Sequence, residues 1–164
     1  MFNIFKKKPI DKNIDLYAPV NGTLVDIETV QDPAFANKVT GDGVAFSFDE
    51  DFICAPADGK ISVIAETRHA FAMKFENGVE ILIHIGLNTV NLGGKGFRAL
   101  VSEGKKVKAG TPIIQIDRKI INEYNVDLTT PMIVTEPNGY NLKILSENRD
   151  VKLAQTVVIK LEKE

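Results

Sequence analysis

From residue 16 onward, apolar positions come in short runs separated by turn residues. Leu24-Val25-Asp26-Ile27, Ile61-Ser62-Val63-Ile64, Val79 to Ile85, Ile113-Ile114-Gln115-Ile116 and Val157-Val158-Ile159 read as strands. Between them lie Asn21-Gly22, Gly41-Asp42-Gly43, Asp58-Gly59, Asn77-Gly78, Gly93-Gly94 and Asn138-Gly139. Short strands punctuated by Asn-Gly and Asp-Gly predict an all-β chain, a sandwich or a barrel. A period of 3.6 is nowhere sustained. The pattern leaves one short helix at Lys119 to Tyr124, between Asp117 and Val126, and one helical turn near Pro33 to Lys38.

Two internal repeats sharpen the picture. Ala18-Pro19-Val20-Asn21-Gly22-Thr23-Leu24 returns as Ala55-Pro56-Ala57-Asp58-Gly59-Lys60-Ile61. Val107-Lys108-Ala109-Gly110-Thr111-Pro112-Ile113 returns loosely as Val151-Lys152-Leu153-Ala154-Gln155-Thr156-Val157. Two copies are too few for a solenoid. They predict one sandwich with a duplicated motif, occupying residues 16–164 behind a short amino-terminal segment, residues 1–15.

At 164 residues the chain fits a single domain with an ample core. A net charge of -2 leaves no basic footprint for nucleic acid. One cysteine, Cys54, excludes an internal disulfide and a four-thiolate zinc site, and reads as a small hydrophobe within a strand. No apolar run approaches the ~20 residues that span a bilayer. The opening Met1-Phe2-Asn3-Ile4-Phe5-Lys6-Lys7-Lys8-Pro9 has too short an apolar part for a signal peptide, with its charges on the wrong side. It reads as a frayed terminus, with a weak capacity to touch an anionic membrane surface. The expected setting is the cytoplasm and the expected state a monomer.

Candidate chemistry rests on His69 and His84, the two histidines of the chain. If Asn77-Gly78 forms a two-residue type I′ turn, Glu76 lies opposite Val79, Phe71 opposite His84 and His69 opposite Gly86. The imidazoles then become diagonal neighbours on one face, and a slip of one residue would separate them. In Val79-Glu80-Ile81-Leu82-Ile83-His84-Ile85 the branched residues suit the core, while Glu80, Leu82 and His84 point away. Phe71, Met73 and Leu82 are expected to surround the rings with apolar surface. Two close imidazoles suit phosphoryl transfer, one as nucleophile and one stabilising charge. They also suit two positions of a zinc site, although no third ligand stands at regular spacing. No serine occupies a nucleophile elbow. Gly93-Gly94-Lys95-Gly96 lacks the spacing of a phosphate loop and reads as a mobile turn.

Glu66-Thr67-Arg68-His69-Ala70-Phe71, Gly78 to Val90 and Gly96-Phe97 closely resemble the active-site region of the glucose-type enzyme IIA family. Ala18-Pro19, Val39 to Gly43 and Ala55 to Gly59 follow that family's order and spacing. The resemblance implies an antiparallel β-sandwich that takes a phosphoryl group from HPr and passes it to an enzyme IIB. It implies that His84 is phosphorylated, that His69 assists onward transfer, and that Thr67 belongs to their hydrogen-bond network. By the same resemblance Gly86 offers its carbonyl to Nδ1–H of His84. Phe35, Val39, Leu82 and Val90 match an apolar docking ring, and Asp32 an acidic position beside it. In some members the site binds regulated permeases or metabolic enzymes such as kinases, with zinc bridging His69, His84 and a partner carboxylate. No cofactor is required by the transfer itself. Three positions depart from the family pattern: Asn88 stands where many relatives carry aspartate, and Ala65 and Leu82 replace bulkier aromatics found in some.

Overall fold

The computed structural model describes residues 8–146 and 149–163, so the amino-terminal call on Met1 to Lys7 lies outside the described residues. Fourteen strands are present among those residues. They are β1 (Ile14–Tyr17), β2 (Gly22–Asp26), β3 (Asp42–Ser47), β4 (Phe52–Cys54), β5 (Gly59–Ile64), β6 (Ala70–Lys74) and β7 (Glu80–His84). The chain continues through β8 (Phe97–Ala99), β9 (Lys106–Val107), β10 (Pro112–Ile116), β11 (Thr130–Glu136), β12 (Asn141–Ile144), β13 (Asp150–Val151) and β14 (Val157–Glu162). Every pairing is antiparallel. An eight-stranded sheet, ordered β13-β2-β3-β11-β7-β6-β5-β9, faces two smaller sheets, β1-β14-β12 and β4-β10-β8.

The two short helices start where their capping residues predict. The first, α1 (Pro33–Ala36), has Asp32 accepting from Ala34 N–H at 3.0 Å, with proline at its first position. The second, α2 (Arg118–Glu123), has Asp117 accepting from Lys119 and Ile120 N–H. No helix among the described residues is long and apolar enough to cross a membrane.

Period-two alternation sorts the large sheet into two layers. Leu24, Val44, Phe46, Ile81, Ile83, Met132 and Val134 enter the main core, where Leu16, Ile53, Ile113, Ile114, Ile159 and Leu161 of the smaller sheets meet them. Their alternates Val25, Ala45, Leu82 and Ile133 face outward. There they are partly roofed by Ile27, Val30 and Phe35 from α1 and the turn before it, and by Leu87. This second, smaller cluster supports the edge of the site. Cys54 is buried in β4, and burial foremost, with Glu50 nearby, pushes its thiol up to about 11.

The repeats are related by near-twofold symmetry. Ala18 donates to the Thr156 carbonyl and accepts from Ala154 N–H, at 2.9 and 3.0 Å; Ala55 does the same with Thr111 and Gly110, at 2.9 and 2.8 Å. Asn21 Oδ1 accepts from Leu153 N–H as Asp58 Oδ1 accepts from Ala109 N–H. Relative to the other copy, the later one carries an extra residue after Ala154. Where the two halves meet they exchange bonds reciprocally: Tyr17 N–H to the Pro56 carbonyl, and Cys54 N–H to the Pro19 carbonyl. Strand β1 begins at Ile14, so Ile14 and Asp15 of the expected leading segment pair with Leu161 and Lys160.

The hairpin between β6 and β7 corrects the expected register. Ala70, not Phe71, lies opposite His84, and Phe71 lies opposite Ile83. Gly78 has φ +84° while Asn77 is absent from the positive-φ residues, so a two-residue type I′ turn does not form. Instead Gly78 N–H returns to the Phe75 carbonyl and Phe75 N–H to that of Val79, which leaves a three-residue loop. Asn77 is held there by its own contacts. Its Oδ1 accepts from Val79 N–H at 3.0 Å and its Nδ2 donates to the Lys12 carbonyl at 2.9 Å. The slip turns Phe71 and Met73 into the main core, 1% and 0% exposed, so neither surrounds the histidines.

Candidate active site

His84 is the last residue of β7 and lies on the outward face. Beyond it the chain turns sharply at Gly86, φ +78°. That conformation aims the Gly86 carbonyl back at the ring, where it accepts Nδ1–H of His84 at 2.7 Å. A carbonyl can only accept, so the bond fixes the tautomer: the proton sits on Nδ1 and Nε2 keeps its lone pair. The turn is braced from beneath. Buried Thr89 donates its hydroxyl to the Ile85 carbonyl, and Leu87 N–H donates to that of Asp127 at 2.8 Å.

His69 precedes β6, in the turn that follows β5. Its ring centroid lies 4.8 Å from that of His84, edge toward face at 77°. The hydrogen-bond partner of its Nδ1 is the Thr67 hydroxyl. His69 and Thr67 thus form one pair, His84 and Gly86 the other, and each imidazole has Nδ1 engaged. Phe35 also packs against His84, centroids 5.1 Å apart and planes tilted by 59°.

Both histidines titrate below their ordinary value of 6.5. Burial is the main cause for each, because the cation would lose hydration. For His69 the neighbouring His84 adds to the effect. For His84 the Gly86 carbonyl and the charge of Asp32 oppose it without cancelling it. Both shifts favour the neutral imidazole, and with the proton on Nδ1 the lone pair of His84 lies on Nε2.

The rim carries most of the remaining candidates. Val39, three residues beyond α1, is 71% exposed, and Val90, six residues after His84, is 49% exposed. Phe35 is buried between His84 and the small outer cluster, and Leu82 is half-buried against that cluster. Asp32 caps α1 within electrostatic reach of His84. Phe71 is excluded by the register described above. Asn88 is exposed and left-handed, φ +59°, a conformation asparagine tolerates unusually well. Among the described residues no group of three or more histidine, cysteine or acidic side chains collects to hold a metal. The two Nε2 atoms would supply half of a tetrahedral zinc shell, with the rest coming from outside the described chain.

Sequence reasoning missed the bracing residues. Thr89 was visible in the His-Ile-Gly-x-x-Thr-Val run, but its role depends on the turn beneath Gly86. Arg68 has φ +57°, with Nε donating to the Phe97 carbonyl at 3.0 Å and a terminal nitrogen to that of Gly94 at 3.4 Å. These bonds fasten the Gly93 to Gly96 turn against the turn that holds His69. Gly93, Gly94 and Gly96 all have positive φ.

Residues 14–140 match the family model for the phosphoenolpyruvate-dependent sugar phosphotransferase system, EIIA 1. The chain belongs to that family, whose members act in phosphotransfer. It is 40% identical over 154 residues to the glucose-specific EIIA component of the phosphotransferase system of Staphylococcus epidermidis, covering 94% of this chain and 93% of the relative. The same component of Halalkalibacterium halodurans is 47% identical over 120 residues, 73% of this chain and 69% of that protein. The solved glucose permease IIA of Mycoplasma capricolum superposes with a TM-score of 0.83 at 35% identity, covering 90% of this chain and 96% of that one.

Proposed function

We propose that the protein is a phosphohistidine carrier in which His84 accepts a phosphoryl group from phospho-HPr and delivers it to a sugar-specific enzyme IIB. One observation carries the reading: Gly86 occupies Nδ1–H of His84, leaving Nε2 of this half-buried ring without the proton. In the forward step Nε2 attacks phosphorus, an N–P bond forms, and the donor's bond to phosphorus breaks with its electron pair leaving on the donor. The proton stays on Nδ1, donated to the Gly86 carbonyl, so the phosphorylated ring carries a positive charge that offsets the phosphoryl oxygens. Transfer of this kind needs positioning and charge stabilisation, and little covalent chemistry from the protein. His69 stands beside the phosphoryl position and assists its departure to the acceptor, with Thr67 holding its Nδ1.

Val39 and Val90 supply the surface on which donor and acceptor would each dock, beside Phe35, Leu82 and Asp32. A phosphate adds roughly -1.5 to -2 charge to this patch, so any regulatory partner using the same face would discriminate the two forms. Because relatives carry the name glucose-specific, glucose is the first sugar to test.

Incubation with phosphoenolpyruvate, enzyme I and HPr should attach one acid-labile, base-stable phosphate, and His84→Ala should abolish it. Uptake by His84→Ala at the wild-type rate would overturn the assignment. Replacing His69 with alanine should leave uptake intact and block delivery; loss of uptake would mean that the two roles are exchanged.

A further inference from the structure

Strand alternation alone would send the His69 ring inward. The His69 carbonyl accepts from Ile85 N–H at 2.6 Å, so its backbone still belongs to the ladder between β6 and β7, opposite a core residue. Phe71, two residues on, is buried in that core. Yet the His69 ring lies against His84 on the outward face. Between expectation and outcome stands Arg68. Its φ of +57° is left-handed, and the chain bends through Arg68 and His69 before β6 begins.

A long side chain rarely adopts that backbone, because its Cβ crowds the next carbonyl. Here the guanidinium offsets the strain by bonding the Phe97 and Gly94 carbonyls. Space for it depends on a glycine: a Cβ on Gly94 would fall 2.5 Å from an Arg68 guanidinium nitrogen. A strained residue, an anchor for its side chain and a cleared space coincide at the one bend that breaks the alternation.

We propose that Arg68 is the positioning residue that turns His69 out of the strand and toward His84. The inference rests on the phosphocarrier reading for its kinetic consequence, but the geometry of the pair can be observed independently of it.

Two variants separate backbone from side chain. Arg68→Gly removes the guanidinium but accepts a left-handed backbone freely. Arg68→Val removes the guanidinium and resists that backbone. Both should take up phosphate from phospho-HPr near the wild-type rate, since the bond between His84 and Gly86 is untouched. Delivery to enzyme IIB should fall about tenfold or more in Arg68→Val and stay within a few-fold of wild type in Arg68→Gly. In parallel, NMR of the His69 ring should show loss of the Nδ1 hydrogen bond to Thr67 in the valine variant alone. Arg68→Ala replaces the valine variant should that one fail to fold. Wild-type delivery by Arg68→Val, or an equal fall in Arg68→Gly, overturns the proposal. Failure of the phosphocarrier reading would show first, as wild-type protein that takes up no phosphate, and the NMR comparison would then decide the role of Arg68 alone.

Discussion

Replacing Gly86 by alanine tests the joint between fold and chemistry. The residue sits at φ +78°, where an added side chain is strained by roughly 1–2 kcal/mol. The new Cβ would lie 2.5 Å from Thr89 Cγ2, 2.9 Å from the Asp127 carbonyl oxygen and 3.3 Å from Leu128 Cδ2. The carbonyl cannot swing away without breaking the bond from Leu87 N–H. Overpacking of this kind costs about 1–3 kcal/mol, so the total loss should be about 2–5 kcal/mol. For a chain of this size that lowers Tm by roughly 5–15 °C. Relief by shifting the loop would instead move the carbonyl from Nδ1–H of His84, releasing both the ring's orientation and its tautomer. Misplacement of that order reduces the rate by about a hundredfold. Thermal unfolding by circular dichroism, with initial uptake from phospho-HPr below the transition, measures the two effects. Wild-type Tm together with wild-type uptake in Gly86→Ala would refute the account of how Nε2 is presented.

The depressed titration of both histidines predicts that uptake rises with pH through a midpoint below 6.5 and is flat above it; a midpoint at or above 6.5 would contradict the burial argument. The same shifts make the unfolded chain bind more protons than the folded one below that value, so stability should decline as pH falls through it, a slope that urea titrations at several pH values would reveal. Thr67→Val should leave uptake intact and slow delivery, since it removes the partner of His69 Nδ1 but touches nothing on His84; single-turnover transfer to enzyme IIB checks it. In the repeat, Ala154 holds φ +57° where its counterpart is Gly110 at +85°. Ala154→Gly should therefore stabilise by about 0.5–1 kcal/mol and Gly110→Ala destabilise by at least as much. The second change also brings its Cβ to 3.2 Å from that of Ala154, and denaturant midpoints of the two variants should move in opposite directions.

Local chemistry was legible wherever it was decided locally. The short helices near Pro33 and after Asp117 were legible because proline fixes its own φ and a capping carboxylate acts on neighbouring amides. Val79 to Ile85 announced a buried face because alternation is a property of the strand itself. The hairpin register was not legible, because Asn77 is held by Lys12, far away in sequence. Phe71 was assigned to the wrong face as a direct result. The histidine pair survived the slip for a reason absent from the pattern: the bend at Arg68 sends His69 outward although the ladder would send it inward. Two departures from regular geometry cancel, and neither can be read from period-two alternation. The bracing of Gly86 by Thr89 and Asp127 was equally hidden, since it depends on which loop lies beneath.

The near-twofold relation between the repeats has a consequence for the order in which the molecule can be assembled. Each half borrows its completing strand from far along the chain: β13 serves β2, β9 serves β5, and β14 seals β1. Strand β2 can pair early with β3, but its second neighbour comes only with residues 150–151, and β1 waits for residues 157–161. Ordering should come late and all at once, without a stable amino-terminal intermediate. Chains released before Val157 should leave the amides of β1 unprotected from hydrogen exchange, and protection there would argue for a half that closes by itself.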